Sequence, residues 1–383
     1  MKILMLLDRE FPPDLRVENE IEALTTEGHH VFLACYTRKN FPLTEQEGNF
    51  TILRHPISKF IYKSSVAALT FPYYFRFWEK FLQDIFRKYS FDAIHIHDLP
   101  LLKVGLKFKN EYGIPLTADL HENWPAYLRI ATHTQSLAGK ILSPNKKWVS
   151  YEKQMLKHAD HIVVVVNEAR DRLSSLGLDS KKIKVVSNTL NLSHADMPPE
   201  TGRNPVPLLF YAGGINYHRG LQTVIRAMAM TERSKFNLVI LGEGSYKADL
   251  IKLAQSLKLE DQVSFPGWKP YQEMLNWMGR ADYALIPHLK SDHTDSTIPH
   301  KLFQYMYAKL PVIASNCIPI ERIVKETQSG IIFPSNDHLK LAEILETLTT
   351  EQANIMGENG RYWVEKKYNW EKDAENLVKI YKN

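Results

Sequence analysis

The chain has 383 residues, of which 44% are hydrophobic and 24% charged, a composition that excludes disordered and fibrous proteins. This length is more than one compact core usually holds and suits two domains of roughly 150 to 200 residues each. The 48 basic and 43 acidic residues give a net charge of +5, too small to indicate DNA binding but compatible with nucleotide diphosphates or lipid headgroups as partners.

Both cysteines, Cys35 and Cys317, lie far apart and outside any Cys-x-x-Cys or Cys/His pattern. This argues against a disulfide framework or a cysteine metal site and fits a reducing cytoplasm. The apolar run 1–7 meets the charged residues 8–10 too early for a signal peptide. No segment has the roughly 18 to 20 uninterrupted apolar residues of a membrane-spanning helix. We therefore expect a cytoplasmic protein whose membrane association, if any, is peripheral.

In the first half of the chain, short aliphatic runs alternate with helical stretches. Val17, Ile21 and Leu24 have helical spacing and predict a helix over 16–28, with Gly28 where a helix commonly ends. Continuous apolar strands between helices indicate a parallel sheet covered on both faces. The predicted strands are 2–7, 30–35, 92–96, 115–119 and 161–166.

The segment 59–89 interleaves aromatic residues with lysine and arginine. A segment of this composition can lie at an anionic membrane surface, where it would bring a lipid-linked acceptor within reach. The alternative is a helix whose aromatic side chains pack on its own domain. The sequence leaves both interpretations open.

Histidine and acid stand side by side where two predicted strands end, as His97-Asp98 and as His121-Glu122. Imidazole and carboxylate together could bind a metal ion. A His-x-His strand end is not diagnostic of metal binding, however, and we predict no metal site.

Arg16 begins the first predicted helix, which should point toward the ligand edge of the sheet. It could contact a phosphate or the acceptor, or it could form a surface ion pair with Glu20. We group Arg16 with His97 and Asp98 as candidate residues of the acceptor side.

After Asn188 the periodicity stops, and the stretch 191–205 has the polar, proline-rich composition of a linker. A second α/β series follows it, so we expect two domains with a ligand cleft between them, at the carboxyl ends of their strands. The predicted strands lie near 207–212, 237–241, 262–265, 283–286, 311–314 and 330–333, and the predicted helices are 220–230, 246–257, 300–308 and 338–349.

The turn after the first strand of this second series contains Gly213, Gly214 and, before a helix, Arg219. Glycines let backbone N–H groups approach an anion, and arginine can pair with phosphate oxygens. The turn therefore predicts a diphosphate site, with an ordinary turn and a solvated Arg219 as the alternative. The absence of GxGxxG and Walker patterns argues against dehydrogenases and P-loop proteins.

With this turn and the segments that follow it, the chain resembles glycosyltransferase family 4. The matching segments are Leu241-Gly242-Glu243-Gly244, Val263-Ser264-Phe265-Pro266-Gly267, Ala281-Asp282-Tyr283-Ala284-Leu285-Ile286-Pro287 and, most specifically, Pro299-His300-Lys301-Leu302-Phe303-Gln304-Tyr305-Met306. The last is similar to a branch with a Pro-x-Lys-x-Phe-Glu-Tyr-Met signature. The resemblance covers nearly the whole chain, more weakly between 40 and 90.

The resemblance implies the GT-B fold, in which two Rossmann-like domains face each other across a cleft. Residues 1–190, completed by a C-terminal helix at about 369–383, would be the acceptor-binding domain. Residues 204–368 would bind the nucleotide sugar.

Pro299 suits the first turn of a helix, so the N–H groups of His300 and Lys301 should add to Arg219 as donors to the diphosphate. By resemblance, Glu243 and Trp268 also belong to the donor side. Trp268 would stack on the nucleobase or, alternatively, be a half-buried structural residue.

Where the family has two glutamates eight positions apart, for the donor sugar and the ribose, this chain has Ser296 and Gln304. Gln304 can still hydrogen-bond ribose hydroxyls, more weakly than a carboxylate. Asp292 or Asp295 could supply a carboxylate near Ser296, or both could simply be hydrated loop residues.

The resemblance assigns the catalytic position to His121, facing the reacting sugar beside Glu122, with a merely structural histidine as the alternative. It implies a retaining transfer in which the departing phosphate takes the acceptor proton while the protein positions groups. The donor would be a nucleotide-diphosphate sugar and the acceptor a saccharide or lipid-linked molecule, in polysaccharide or glycoconjugate biosynthesis.

No cofactor, metal or nucleic acid is expected. The alternatives are a non-catalytic nucleotide-sugar-binding partner and a sugar-nucleotide epimerase of the same fold. We expect the protein in the cytoplasm, or peripherally bound to the inner face of the membrane.

Overall fold

Two β-sheets, one in each half of the chain, carry the fold. The computed structural model describes residues 1–131, 134, 137–199 and 204–382. They divide into two units: unit 1 comprises Met1–Ser187 and Asp373–Asn383, and unit 2 comprises Asn188–Lys372. Residues 200–203 of the predicted linker, and residue 383, lie outside the described residues.

The strands of unit 1 are β1 (Lys2–Leu7), β2 (His30–Thr37), β3 (Thr44–Glu47), β4 (Phe50–Pro56), β5 (Ala93–His97), β6 (Leu116–Leu120), β7 (His161–Val164) and β8 (Ile183–Val185). Their order in the sheet is β3-β4-β2-β1-β5-β6-β7-β8, and only β3 pairs antiparallel. The chain order reverses between β1 and β5. In sheets of this kind, ligands bind at the carboxyl ends of the two strands where that reversal occurs.

The five strands predicted for the first half are all present, with ends shifted by a few residues. Strands β3, β4 and β8 were not predicted. All four residues of β3 are exposed, so this edge strand lacks the apolar pattern on which strand prediction depends. Strand β8 has only three residues, too few to establish a pattern.

Helices pack around the sheet of unit 1, beginning with the predicted first helix. The Asp14 side chain accepts a hydrogen bond from the backbone N–H of Val17 and caps this helix, and Gly28, with φ +81°, follows its end. The helices are α1 (Leu15–Thr26), α2 (Lys59–Ser64), α3 (Tyr73–Lys88), α4 (Leu102–Tyr112), α5 (Trp124–Ile130), α6 (Leu137–Leu142), α7 (Asn145–Lys157) and α8 (Asn167–Ser175).

The aromatic and basic segment 59–89 separates into two parts with different burial. Helix α3 buries one face at helical spacing, so the packing interpretation is right for it; its buried residues are Tyr74, Phe75, Trp78, Phe81, Leu82, Ile85 and Phe86. Helix α2 buries no residue. Within the described part of the chain, no helix is both long and apolar enough to cross a bilayer.

Unit 2 contains six parallel strands: β9 (Leu208–Ala212), β10 (Asn237–Leu241), β11 (Val263–Gly267), β12 (Tyr283–Ile286), β13 (Val312–Ser315) and β14 (Gly330–Phe333). Their order is β11-β10-β9-β12-β13-β14, the doubly wound arrangement of a Rossmann sheet. All six were predicted. The chain order reverses between β9 and β12, which identifies the expected ligand edge of this sheet.

Of the eight helices that follow in the described residues, five were predicted and three were not. They are α9 (Leu221–Met228), α10 (Lys247–Ser256), α11 (Tyr271–Gly279), α12 (Lys301–Tyr307), α13 (Ile318–Thr327), α14 (His338–Thr347), α15 (Thr350–Lys366) and α16 (Trp370–Tyr381). Helices α11 and α13 had no counterpart among the predicted intervals, and α15 extends a region left unassigned. The last eleven residues, most of α16, belong to unit 1.

Because α3 is buried on one face and α2 is not, two aromatic substitutions should change the free energy of unfolding by very different amounts. Trp78 is fully buried whereas Phe60 is 64% exposed. Trp78→Ala should lower the free energy of unfolding by about 3–5 kcal/mol through the cavity it creates. Phe60→Ala should change it by no more than about 0.5 kcal/mol. Urea unfolding of both variants checks this, and equal losses would contradict the assigned burial.

Candidate functional site

A cavity of about 460 Å³ lies at the carboxyl ends of β9, β10 and β11 in unit 2. Strand ends, the turns after them and helix α12 form its wall. The lining residues are Ala212, Gly213, Gly214, Leu241, Gly242, Glu243, Trp268, Lys269, Met274, Lys301, Gln304 and Tyr305. Lys301 and five other predicted donor-side residues thus line one cavity. The other five are Gly213, Gly214, Glu243, Trp268 and Gln304.

The turn after β9 brings its backbone unusually close to the Lys301 ammonium. Gly213 has φ +144°, and a Cβ atom built on it would lie 2.4 Å from Lys301 Nζ. Gly220 has φ +73° at the N-terminus of α9, where a Cβ atom would lie 1.8 Å from the Pro287 carbonyl oxygen. Only glycine satisfies both the conformation and the space at these positions.

Lys301 is a buried cation without a counter-ion among the described residues. Its Nζ has no hydrogen-bond partner and lies 3.9 Å from the centre of the Tyr211 ring. Burial, reinforced by the charge of Arg219, holds the pKa of Lys301 well below its usual value. A buried ammonium is costly unless an anion pairs with it.

Arg219 is a second cation, half-buried and on the turn that carries Gly213 and Gly214, but outside the residues that line the cavity. Its Nη1 lies 3.2 Å from His288 Nε2, and its buried Nε donates to no described residue. Burial and the charge of Arg219 hold the pKa of His288 well below its usual value, so this ring is neutral and accepts from the guanidinium. The solvated-surface interpretation of Arg219 is therefore wrong.

Two more histidines near Arg219 remain neutral. Burial, aided by the Arg219 charge, lowers the pKa of His218 and of His293 to about 4 each. Sequence reasoning missed these two residues and His288. The available signal was their position beside the predicted turn and after the predicted strand 283–286, at the point where the strand order of unit 2 reverses.

The helix that carries Lys301 begins one residue later than predicted. His300 is its N-cap and Lys301 its first residue, so Pro299 lies before the cap rather than in the first turn. His300 contacts the Gln304 side chain and the Thr189 backbone, and burial lowers its pKa to about 4. His300 is therefore neutral at physiological pH.

The two positions that lack the family glutamates differ in their surroundings. Gln304 lines the cavity, whereas Ser296 is buried and its hydroxyl donates to the Asp292 carbonyl oxygen. Asp295 Oδ1 accepts from the Ile318 backbone N–H at 2.8 Å and lies 3.5 Å from Lys290 Nζ. This carboxylate thus caps helix α13, and neither it nor Ser296 lines the cavity.

Trp268 and Glu243 stand at the solvent side of the same cavity. Trp268 is 69% exposed, so the half-buried structural interpretation of this residue is wrong. Glu243 Oε1 accepts from Lys247 Nζ at 2.8 Å. An exposed indole at a cavity rim can stack on a planar ligand without displacing core residues.

In unit 1, three titratable residues lie close to His121 at the carboxyl ends of β5 and β6. His121 Nε2 lies 3.3 Å from Asp119 Oδ2 and 3.3 Å from His97 Nδ1, and its Nδ1 lies 3.8 Å from Asp98 Oδ2. Burial alone would lower the pKa of His121, but the carboxylates of Asp98 and Asp119 outweigh it and raise that pKa above its ordinary value.

Arg16 and His97 are too buried to offer an atom to an acceptor. The Arg16 guanidinium is 3.0 Å from both Glu20 Oε1 and Asp119 Oδ1 and also donates to the backbone at 186–187. The expected surface pair with Glu20 is therefore a buried one. His97 is fully buried, which lowers its pKa to about 3. Arg16 and His97 both contact the Asp119 carboxylate, which in turn contacts His121.

Four buried residues of this cluster could in principle hold a metal ion. Glu20, His95, His97 and Asp119 bring one potential ligand atom each within 4.8 Å of one another. Arg16 already pairs with the other oxygen of both carboxylates, which supplies the positive charge that a metal would otherwise bring. Burial and the Asp119 charge also raise the pKa of Glu20 well above its usual value.

Two family models match this chain in succession. The model described as Glycosyltransferase Family 4 matches residues 15–194, and the model described as Glycosyl transferases group 1 matches residues 195–370. The chain belongs to glycosyltransferase family 4.

Relatives and solved structures agree with this family. The chain is 25% identical over 369 residues to an alpha-monoglucosyldiacylglycerol synthase of Streptococcus pneumoniae, covering 91% of this chain and 78% of the relative. A sucrose-phosphate synthase from Thermosynechococcus elongatus has a TM-score of 0.77 at 18% identity, covering 99% and 98%. HepE of Anabaena, in complex with UDP and glucose, has a TM-score of 0.73 at 14% identity, covering 100% and 99%. The fold is GT-B.

In this glycosyltransferase, the carboxylates around His121 should control its titration. We expect a pKa above 6.5 for His121, and we expect Asp98→Asn and Asp119→Asn each to lower it by removing a negative charge. His97 should remain neutral down to pH 5 because its pKa is about 3. Histidine NMR titrations measure these values, with Asp160→Asn, whose carboxylate pairs with Lys109, as the control.

The same shift has a stability consequence with a defined sign. Because the folded pKa of His121 is raised, its stabilising contribution is complete below the unfolded value of about 6.5 and is lost as pH rises through the folded pKa. The stability difference between the native chain and His121→Gln should therefore shrink on going from pH 6 to pH 9. A difference that grows with pH would contradict the assignment.

Proposed function

We propose that this glycosyltransferase moves a hexose from a nucleotide-diphosphate sugar to a saccharide or lipid-linked acceptor with retention of configuration. The observation that supports it most directly is the buried, unpaired ammonium of Lys301 in the wall of a 460 Å³ cavity, with the half-buried guanidinium of Arg219 on the turn that also contributes Gly213 and Gly214 to that wall. A diphosphate is the ligand that best complements two converging cations and a glycine turn.

The proposed donor orientation follows from the cavity wall. The diphosphate lies over Gly213 against Arg219 and Lys301, the ribose hydroxyls bond Gln304, and the base stacks on Trp268. The UDP bound to the structurally similar HepE supports a uridine nucleotide. With Gln304 in place of a glutamate, the ribose contact is made by a neutral amide and is correspondingly weaker.

In the proposed reaction, the bond between the anomeric carbon and the diphosphate oxygen breaks while the acceptor oxygen attacks the same face. The acceptor proton passes to the departing phosphate oxygen. Arg219 and Lys301 stabilise the charge that grows on this leaving group. Their two charges provide what a divalent cation would supply, and we propose no metal or other cofactor.

We propose that His121 bonds a hydroxyl of the reacting sugar, with Glu122 beside it. The elevated pKa of His121 favours the protonated ring, which donates from both nitrogens. Asp98 and Asp119 hold that ring, and Arg16 and His97 hold Asp119. In the name of the pneumococcal relative the product is alpha-configured, which is the outcome of retention from an α-linked nucleotide sugar.

A donor and acceptor panel tests this function. UDP-, GDP-, ADP- and dTDP-sugars are incubated with the purified protein, with and without saccharide and diacylglycerol acceptors, and free nucleotide and product anomer are measured by chromatography and NMR. Acceptor-dependent nucleotide release with an α-linked product supports retaining transfer. Binding without release indicates a non-catalytic partner, and an isomerised donor without acceptor indicates an epimerase; either result contradicts the proposal.

Replacing Lys301 separates ligand binding from folding. Lys301→Met removes a buried, unpaired charge, so the ligand-free protein should melt at the same temperature or higher. The stabilisation by UDP should nearly vanish, because losing a charge-assisted contact to phosphate raises Kd at least about tenfold. Differential scanning fluorimetry with and without UDP measures both effects.

Lys235→Met provides the matched control in the same unit. Lys235 pairs with Glu346 and does not line the cavity, so this variant should retain the full shift with UDP. If Lys301→Met also retained that shift, Lys301 would not bind the phosphates.

A further inference from the structure

Two stretches of unit 1 contain no acidic residue at all. Residues 57–78 and 123–151 together carry seven basic side chains and no aspartate or glutamate. The rest of the chain carries 41 basic residues against all 43 acidic ones. The positive charge of the protein is therefore concentrated in these two stretches.

These stretches also expose apolar side chains. Phe60 is 64% exposed, Phe71 and Tyr73 are each 45% exposed, and Ile141 is 73% exposed. The three aromatic rings form one cluster, with ring centres 5.6 Å apart for Phe60 and Tyr73 and 6.3 Å for Phe71 and Tyr73. Solvent contact of adjacent large apolar side chains is unfavourable unless another surface covers them.

A hydrogen bond joins the two stretches in space. The Thr70 hydroxyl donates to the Leu142 carbonyl oxygen at 3.0 Å, which holds helix α6 beside the chain between α2 and α3. Thr70 directly precedes Phe71 in the chain, and Leu142 directly follows Ile141. Lys59 and Lys63 of α2, and Lys146 and Lys147 at the start of α7, are exposed on these same elements.

We infer that this face, formed by α2, the start of α3, α6 and the start of α7, binds an anionic lipid bilayer. Aromatic and aliphatic side chains flanked by lysines are the chemistry of an interfacial segment: the apolar groups enter the headgroup boundary while the lysines pair with lipid phosphates. The absence of any carboxylate from both stretches matches a negatively charged surface and removes the repulsion that one would add.

The inferred face differs from the one expected from sequence. Most of α3 is excluded because its aromatic residues form the core, and α6 is included although it lies outside 59–89. The inference rests on the proposed function in one respect: binding to the bilayer would bring the enzyme to a lipid-linked acceptor. Lipid binding and donor binding can be measured separately.

The test uses the full-length protein and vesicles in sedimentation and flotation assays. We expect binding to phosphatidylglycerol-containing vesicles, at least about tenfold weaker binding to pure phosphatidylcholine vesicles, and weakening by salt. The triple variant Phe60→Ser, Phe71→Ser and Tyr73→Ser, and separately Lys59→Gln with Lys63→Gln, should each lower affinity for the anionic vesicles roughly tenfold.

Two control variants make the same chemical change elsewhere. Lys252→Gln with Lys258→Gln removes the same charge from unit 2, and Tyr362→Ser removes an exposed ring there; neither should alter vesicle binding. The UDP-induced thermal shift should be intact in every variant, which separates a failed membrane face from a failed donor site. Absence of binding to anionic vesicles, equal loss in the controls, or binding of a protein partner through this face instead would overturn the inference.

Discussion

Two cations of unit 2, the buried ammonium of Lys301 and the half-buried guanidinium of Arg219, have no carboxylate partner among the described residues. Among those residues, the only neighbour that bonds either side chain is the neutral ring of His288. An unpaired charge that is removed from water destabilises the ligand-free protein. We propose that the same charges attract the diphosphate of the donor, because they are already in position before the ligand arrives. On this proposal, the ligand-free protein loses stability and the donor complex gains affinity.

In unit 1, by contrast, the buried guanidinium of Arg16 has carboxylate partners. Arg16 is held between Glu20 and Asp119, so its charge is compensated within the protein and is not available to a ligand. Arg16 acts on His121 through Asp119. The Asp119 carboxylate keeps its charge despite its burial because Arg16 and His121 both stabilise it. Arg16 thus positions His121 through an intervening acid, whereas Arg219 has no carboxylate partner among the described residues and is the arginine that we propose to contact the donor.

Much of the fold could be predicted because both sheets are built from continuous apolar strands. Strand β3 could not, since an exposed edge strand has no burial pattern. Gly213 and Arg219 could be assigned from local sequence, whereas the role of Arg16 depends on Asp119, 103 positions away. The convergence of His218, His288 and His293 on Arg219 likewise arises only when separate loops meet at the strand ends of unit 2. Contacts between residues so far apart in the chain cannot be predicted from the spacing of neighbouring residues.

The substitution of both family glutamates has a physical link to the unpaired cations. Gln304 stands three residues after Lys301 on the same helix and lines the same cavity, so a carboxylate at this position would add a negative charge about one helical turn from Lys301. A neutral amide leaves the positive field of the empty cavity undiminished. In the proposed donor complex, the attraction between Lys301 and the diphosphate is then not weakened by a neighbouring carboxylate, while the ribose loses a charged acceptor. Because ribose and diphosphate both belong to the nucleotide, this substitution changes how the nucleotide is held, and the choice of the transferred sugar must depend on other residues.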